Sequence, residues 1–302
     1  MRTIDIHTHG LCGYDTRTRK AEDILGMAEA HGRHGVSEII PTVYPGPVEE
    51  MRSNMAAVRT AMERQRSTGP QPVSSEGSSL ESPEIKLPRP AIIRGVHLEG
   101  PFLNPARCGA LDRTSFALPA EQILRDLIQG FEDIVRIITL APELEGSIKI
   151  IKIIKDFGIK INMGHSDASY EDAERAFNAG ATGITHIFNA MRGFHHREPG
   201  IAGFGLLNPH IFIEVIADPF HLRFETIDLL FRVKNPEKII IVSDTVKDSG
   251  VLPGSDAVTD EEGTLQGGSM TISESTHRLR TLGFDPQAVM SCIGANPLSY
   301  LE

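Results

Sequence analysis

Short apolar, β-branched runs alternate with longer segments of helical period along most of the chain, and this rhythm limits the fold more than any other feature. Strands are read near Thr3–His7, Glu38–Thr42, Ile92–Leu98, Val135–Ala141, Ile159–Gly164, Gly183–Ile187, Ile211–Ile216 and Ile239–Ser243. Helices are expected at Ala21–His34, Val48–Arg64, Ala120–Gln129, Leu144–Phe157, Ser169–Ala179 and Phe224–Val233. Gly35, Gly158 and Gly180 follow three of these helices, where a C-cap uses a positive φ. The run Ile239–Val242 is apolar throughout, as a strand buried on both faces requires. Eight alternations within about 250 residues predict an α/β protein of the (β/α)₈ TIM-barrel type. A doubly wound open sheet is the competing architecture, but it wants a Gly-rich phosphate loop after the first strand, and none is present.

One segment breaks the rhythm. Residues 65–90 contain STGPQPVSSEGSSLESP, too polar to bury a core, and read as a flexible insertion on the barrel face opposite the catalytic loops. A long loop, Thr245–Gly268, follows the eighth strand, and helices at Ser273–Thr281 and Pro286–Leu301 close the chain. No second run of strands appears, so residues 1–302 are expected to form one domain.

Composition narrows the partners. The formal net charge is −10, which excludes broad attraction to nucleic acid or to an anionic membrane. An anionic ligand must then be held by a local cluster of donors. Cys12, Cys108 and Cys292 are widely spaced and give no disulfide framework. The N-terminus does not read as a signal peptide, and no apolar run approaches the ~20 residues of a membrane span. The expectation is a cytoplasmic protein.

The chemistry lies in where the histidines and acids fall. His7 and His9 end strand one, Glu99 strand three, His165 strand five and His186 strand six. Asp218 and His221 follow strand seven, and Asp244 ends strand eight. A lone histidine is more often structural than a ligand, but in a barrel these strand ends converge on one rim. Glu99, His165 and His186 supply a carboxylate and two imidazoles, a donor set for zinc or iron with a position left for water. His7 and His9, two apart on a strand, face the same way and are expected to hold a second ion. Asp244 is expected to act as the base that moves the proton of the attacking water. Arg192, His195, His196 and Arg197 form a cationic cluster suited to an anion, or a solvated loop paired with Glu198 or other carboxylates.

DIHTHG at Asp5–Gly10, GVHLEGPFLNP at Gly95–Pro105 and GHSDA at Gly164–Ala168 resemble segments of the N-acetylglucosamine-6-phosphate deacetylases. THIFNAM at Thr185–Met191, REPGIAG at Arg197–Gly203, IADPFH at Ile216–His221, VSDT at Val242–Thr245 and GTLQGGSMT at Gly263–Thr271 continue the resemblance in order. That family belongs to the amidohydrolase superfamily and removes acetate from an amino sugar phosphate. The resemblance implies Glu99, His165 and His186 as metal ligands, Asp244 as the catalytic aspartate, and His7 and His9 as a pair for a second ion kept by some members. It implies Asn189, the backbone of Ala190, Arg197 and His221 as contacts to the sugar phosphate, with Arg197 offered in some members from a neighbouring subunit of a homodimer.

Two departures stand out. Leu111 occupies the place where the family has a substrate-contacting histidine, so the acyl sugar is left open. The chain also lacks the segments that build the family's flanking β-sandwich, which implies a barrel standing alone or leaning on a partner. Lys247 reads as a solvated lysine rather than a ligand for an acidic group. Three other readings compete. A phosphoesterase or nuclease-like barrel also opens with DxHxH, but HLEGPF and HIFNAM argue against it. Dihydroorotase-like or urease-like members want a lysine ending strand four, where Thr139–Glu143 has none. A non-catalytic binder would have no need of Asp244.

Overall fold

The computed structural model describes residues 2–67, 88–251 and 256–302. Eight strands form the barrel: β1 (Ile4–Thr8), β2 (Glu38–Val43), β3 (Val96–Glu99), β4 (Val135–Leu140), β5 (Lys160–Met163), β6 (Gly183–Ile184), β7 (Phe212–Ile216) and β8 (Ile239–Val242). Each pairs in parallel with the next, from β1 with β2 through to β7 with β8. The seam between β8 and β1 closes just beyond the strands, where Asp244 N–H donates to His7 O at 2.9 Å and His9 N–H to Thr245 O at 2.8 Å. The predicted barrel is the observed one.

The period-two pattern sorts side chains to two faces. Ile39, Leu98, Ile138, Ile161, Ile213 and Ile241 face outward into a continuous apolar layer under the helices. Ile4, Ile6, Ile40, Ile137, Phe212 and Ile240 pack together in a separate cluster that includes Tyr300. Each fully buried isoleucine contributes roughly 1.5–3 kcal/mol. Other strand positions carry polar groups instead: His7, His97, Glu99, Asn162 and Glu214 are all buried. This polar layer is where the site is built.

The helices that follow the strands are α1 (Ala21–Arg33), α2 (Val48–Ser67), α3 (Glu121–Ile128), α4 (Ser147–Asp156), α5 (Tyr170–Ala179), α6 (Gly200–Leu207) and α7 (Phe224–Val233). Three more close the chain: α8 (Ile272–Thr281), α9 (Pro286–Ile293) and α10 (Ala295–Leu301). Capping boxes start α5, at Ser169 and Asp172, and α8, at Thr271 and Glu274. Gln65, expected in the insertion, lies in α2 and bridges to the β3 side through Ala91 O and Ile93 N–H at 2.9 and 3.0 Å. Residues 68–87 of the expected insertion lie outside the described residues. The closing helix expected over Pro286–Leu301 is broken at Gly294.

Sequence reading missed α6. Its sequence, GIAGFGLL, carries three glycines that each cost about 1 kcal/mol in a helix. Burial accounts for the choice: a Cβ on Gly205 would sit 2.7 Å from Ile184 Cδ1, so only glycine lets the helix seat against the barrel. The end of α6 is satisfied by Lys234, which is buried and donates from Nζ to Gly205 O at 2.8 Å and Asn208 O at 2.5 Å. Lys234→Met should leave these carbonyls without a donor and cost about 1–3 kcal/mol. A denaturation midpoint equal to that of the parent would contradict the assignment.

Candidate metal centre and active-site cavity

Glu99, the last residue of β3, is buried and its carboxylate is ringed by imidazoles. Oε1 lies 3.1 Å from His165 Nε2, 3.1 Å from His186 Nε2 and 3.5 Å from His7 Nε2. Oε2 lies 3.1 Å from His9 Nε2. Asp244 Oδ1 is 3.4 Å from His7 Nε2 and 3.6 Å from His9 Nε2. The expected ligands and the expected base therefore meet at one place, brought from five different strands.

The donor set fits a cation. His165 Nδ1 lies 3.0 Å from Arg107 O, and a carbonyl only accepts, so Nδ1 carries the proton. Nε2, the other ring nitrogen, faces Glu99 Oε1 at 3.1 Å, where a cation could be held between them. His7 Nε2, 3.5 Å from Glu99 Oε1 and 3.4 Å from Asp244 Oδ1, is buried and makes no hydrogen bond among the described residues. Orphaned buried nitrogens are costly unless something satisfies them. Two groups of donor atoms, Glu99–His165–His186 and His7–His9–Glu99, each lie within 4.8 Å and share the Glu99 carboxylate. Each group could hold an ion, and Glu99 belongs to both. A third grouping, His7–His97–Glu214, is different: His97 is already bonded to Ile6 O at 3.0 Å and Thr139 Oγ1 at 2.8 Å.

Electrostatics follow the geometry. Burial works against the charge on Glu99, but the His165 and His7 rings outweigh it and hold the carboxyl well below the usual range. Burial, then Glu99 and Glu214, push the Asp244 carboxyl well above the usual range. Behind His7, Glu214 Oε2 lies 2.9 Å from Nδ1, and Asn162 Nδ2 donates to Glu214 Oε1 at 2.6 Å. Burial pushes the Glu214 carboxyl up to about 7. It also holds the His7 imidazole well below its ordinary value.

Backbone strain is concentrated here. His165, His186 and Asp244 have φ of 46°, 26° and 50°, a left-handed region that costs a non-glycine residue about 1–3 kcal/mol. Asp244 is clamped by its bond to His7 O and by Gly268 N–H, which donates to Asp244 O at 2.7 Å. A Cβ on Gly268 would lie 1.8 Å from Ser243 O, so glycine is required for this approach. The loop expected at Thr245–Gly268 contains a short antiparallel pair, Val258–Thr259 with Leu265–Gly267. It carries Leu265 and Gln266 to the site.

A cavity of about 270 Å³ opens over the cluster. Asn189, Ala190, His221 and Leu111 line it, as do Tyr44 and Gln266. His221 is fixed by Asp218, whose Oδ2 lies 2.9 Å from His221 Nδ1 and accepts from Ser269 N–H at 3.0 Å. Asn189 donates to His186 O at 3.3 Å. Arg197 is exposed and does not line the cavity. Arg192 is paired with Asp167 at 2.8 Å, and Asp167 also binds Arg107 at 2.6 Å. For Arg192, then, the carboxylate-pairing alternative is the one observed.

Sequence reading missed Tyr44, His97, Asn162, Glu214 and Gln266. The signal for Glu214 was available, since a lone carboxylate inside the apolar strand FIEVI has no reason to be there unless it is paired.

The comparisons decide the family. No family model matches the chain. It is 31% identical to the N-acetylglucosamine-6-phosphate deacetylase of Bos taurus, covering 99% of this chain and 73% of that protein. It is 30% identical to an N-acetylgalactosamine-6-phosphate deacetylase of Escherichia coli O157:H7, covering 93% of this chain and 69% of that one. The chain belongs to the N-acetylglucosamine-6-phosphate deacetylase family. The solved deacetylase structure from Thermotoga maritima superposes with a TM-score of 0.83 at 26% identity, covering 99% of this chain and 77% of that one. The chain spans 57% to 73% of the length of the curated deacetylases it matches. Among the described residues no helix is long and apolar enough to cross a membrane.

If Glu214 orients His7 toward an ion, Glu214→Gln should lower metal affinity about 10- to 100-fold, read by competition with a chromogenic chelator. An unchanged affinity would take Glu214 out of the metal centre.

Proposed function

We propose that this member of the deacetylase family hydrolyses the acetamido group of an N-acetylated amino sugar phosphate, converting N-acetylglucosamine 6-phosphate to glucosamine 6-phosphate and acetate. The observation that carries the reading is Asp244 lying beside the Glu99-centred imidazole cluster under a single cavity. Glu99, His165 and His186 would hold a zinc or iron ion, and His7 and His9 with Glu99 a second one. A divalent cation there lowers the pKa of water toward ~7 and polarises an acyl oxygen.

The chain's own residues do the rest. Asp244 accepts a proton from the attacking water as its oxygen bonds to the acyl carbon. The carbon–nitrogen bond then breaks and Asp244 returns the proton to the departing amine. A carboxyl with its affinity for protons raised by burial suits both halves of that exchange. Asn189, the backbone of Ala190 and His221 bind the sugar phosphate. Arg197, exposed on its own barrel, reaches a phosphate when presented by a second subunit, so we propose a homodimer. A Mycobacterium smegmatis deacetylase with a TM-score of 0.85 and 22% identity has been solved in complex with N-acetyl-D-glucosamine-6-phosphate. We propose the same ligand class here, with the galactosamine epimer as the next candidate. We further propose that residues 1–302 act as one barrel unit in the cytoplasm.

An acetate-release screen over phosphorylated and free N-acetyl sugars tests the reading, with metal analysis on the same sample. Turnover is expected on a 6-phosphate, and the absence of acetate from the whole panel would overturn it. Asp244→Asn should lower kcat by about 10³-fold or more with metal content unchanged. A variant that turns over at the parent rate would remove Asp244 from the chemistry.

A further inference from the structure

Tyr44 directly follows β2, so it stands on the same rim as the ligands. Its ring is stacked on His9 with centroids 3.9 Å apart and planes 25° apart. The Arg17 guanidinium lies over the same ring, 4.3 Å from the centroid. Two groups at that distance cannot share one face, so the ring is sandwiched between an imidazole and a guanidinium. Arg17 is itself held by Asp15, through NH2 to Oδ2 at 2.8 Å and N–H to Oδ1 at 2.7 Å. Both faces of the phenol ring are therefore covered and its orientation is fixed from two sides.

Tyr44 lines this cavity and the adjoining one that holds Arg17 and Lys247, and with both ring faces covered what it can offer a ligand is its edge, which carries the hydroxyl. Among the described residues that hydroxyl has no hydrogen-bond partner. The neighbouring wall, Gly109, Ala110 and Leu111, has no side-chain donor to offer a ligand. Of the amides on the cavity, Asn189 is bonded to His186 O at 3.3 Å and Gln266 to Asp260 Oδ2 at 3.0 Å. His221 is turned by Asp218 on the far side. Next to His9 and the Glu99 carboxylate, Tyr44 is thus an uncommitted, rigidly mounted donor.

We infer that the Tyr44 hydroxyl donates a hydrogen bond to the acyl oxygen of the substrate, making Tyr44 a catalytic residue of the deacetylation proposed above. A preorganised donor strengthens as charge gathers on that oxygen, so its contribution falls mainly on kcat. The inference rests on that deacetylase reading for its kinetic arm only.

Tyr44→Phe keeps the sandwiched ring and removes one oxygen. With N-acetylglucosamine 6-phosphate, kcat should fall about 100-fold while KM stays within about twofold. Metal content and thermal midpoint, measured on the same preparation, should match the parent. An unchanged kcat, or a loss seen only in KM, would overturn the inference. A second arm uses acetate as the probe on the zinc-loaded protein, with no turnover required. The chain has no tryptophan and four tyrosines, so the ultraviolet difference spectrum reports tyrosine directly. Acetate should perturb it in the parent and not in Tyr44→Phe, with binding about tenfold weaker in the variant. Equal binding and equal spectra would contradict the role of Tyr44 even if no sugar were hydrolysed, whereas failure of the sugar panel alone would count against the substrate reading.

Discussion

Four imidazole nitrogens crowd one buried carboxylate at the mouth of this barrel, each within 3.1–3.5 Å of a Glu99 oxygen. His165 Nδ1 is committed to Arg107 O, and its Nε2 faces Glu99 Oε1 at 3.1 Å. His7 Nε2 makes no hydrogen bond among the described residues. Leaving such groups buried and unsatisfied costs a few kcal/mol each, and the left-handed backbone at His165, His186 and Asp244 adds to the cost. Strain and unsatisfied polarity together in one place are the signature of a site kept for a ligand rather than for stability. A divalent cation resolves the conflict, since it accepts from the nitrogens and the carboxylate at once.

The rest of the barrel supports this arrangement. Apolar side chains fill part of the interior, with Tyr300 of α10 packed against Phe212, ring centroids 5.1 Å apart. From Tyr300 a chain of polar contacts runs through Asn162 and Glu214 to His7 Nδ1. The last helix is in this way connected to the metal centre by hydrogen bonds through the barrel's middle. The seam between β8 and β1 serves the same end, because the bond that closes it, Asp244 N–H to His7 O, also sets the base beside the ligands. Closure of the fold and assembly of the site are one event here.

Much of this was legible in the sequence, for a physical reason. Strand parity and barrel convergence are strict, so His7, His9, Glu99, His165, His186 and Asp244 could be placed on one rim before any coordinates were known. The helix α6 was not legible, because its helical state is imposed by burial against Ile184 and runs against the propensity of its glycines. Tyr44 was missed for a related reason: a tyrosine after a strand reads as packing, and only the stacking of His9 and Arg17 on it shows a ring held at the site. Arg192 shows the opposite error, a cation that sequence offers to a ligand and structure gives to Asp167. Local composition names the charge, but long-range pairing decides its use.

The central claim is that the Glu99-centred donor set exists to hold a divalent cation. Anomalous diffraction at the zinc edge, from crystals of the protein loaded with zinc, tests it without reference to any substrate. The account predicts a peak bounded by Glu99, His165 and His186, with any second peak on the His7 and His9 side of the same carboxylate. A zinc ion found elsewhere on the barrel, with this cluster empty and its imidazoles unmoved, would contradict it.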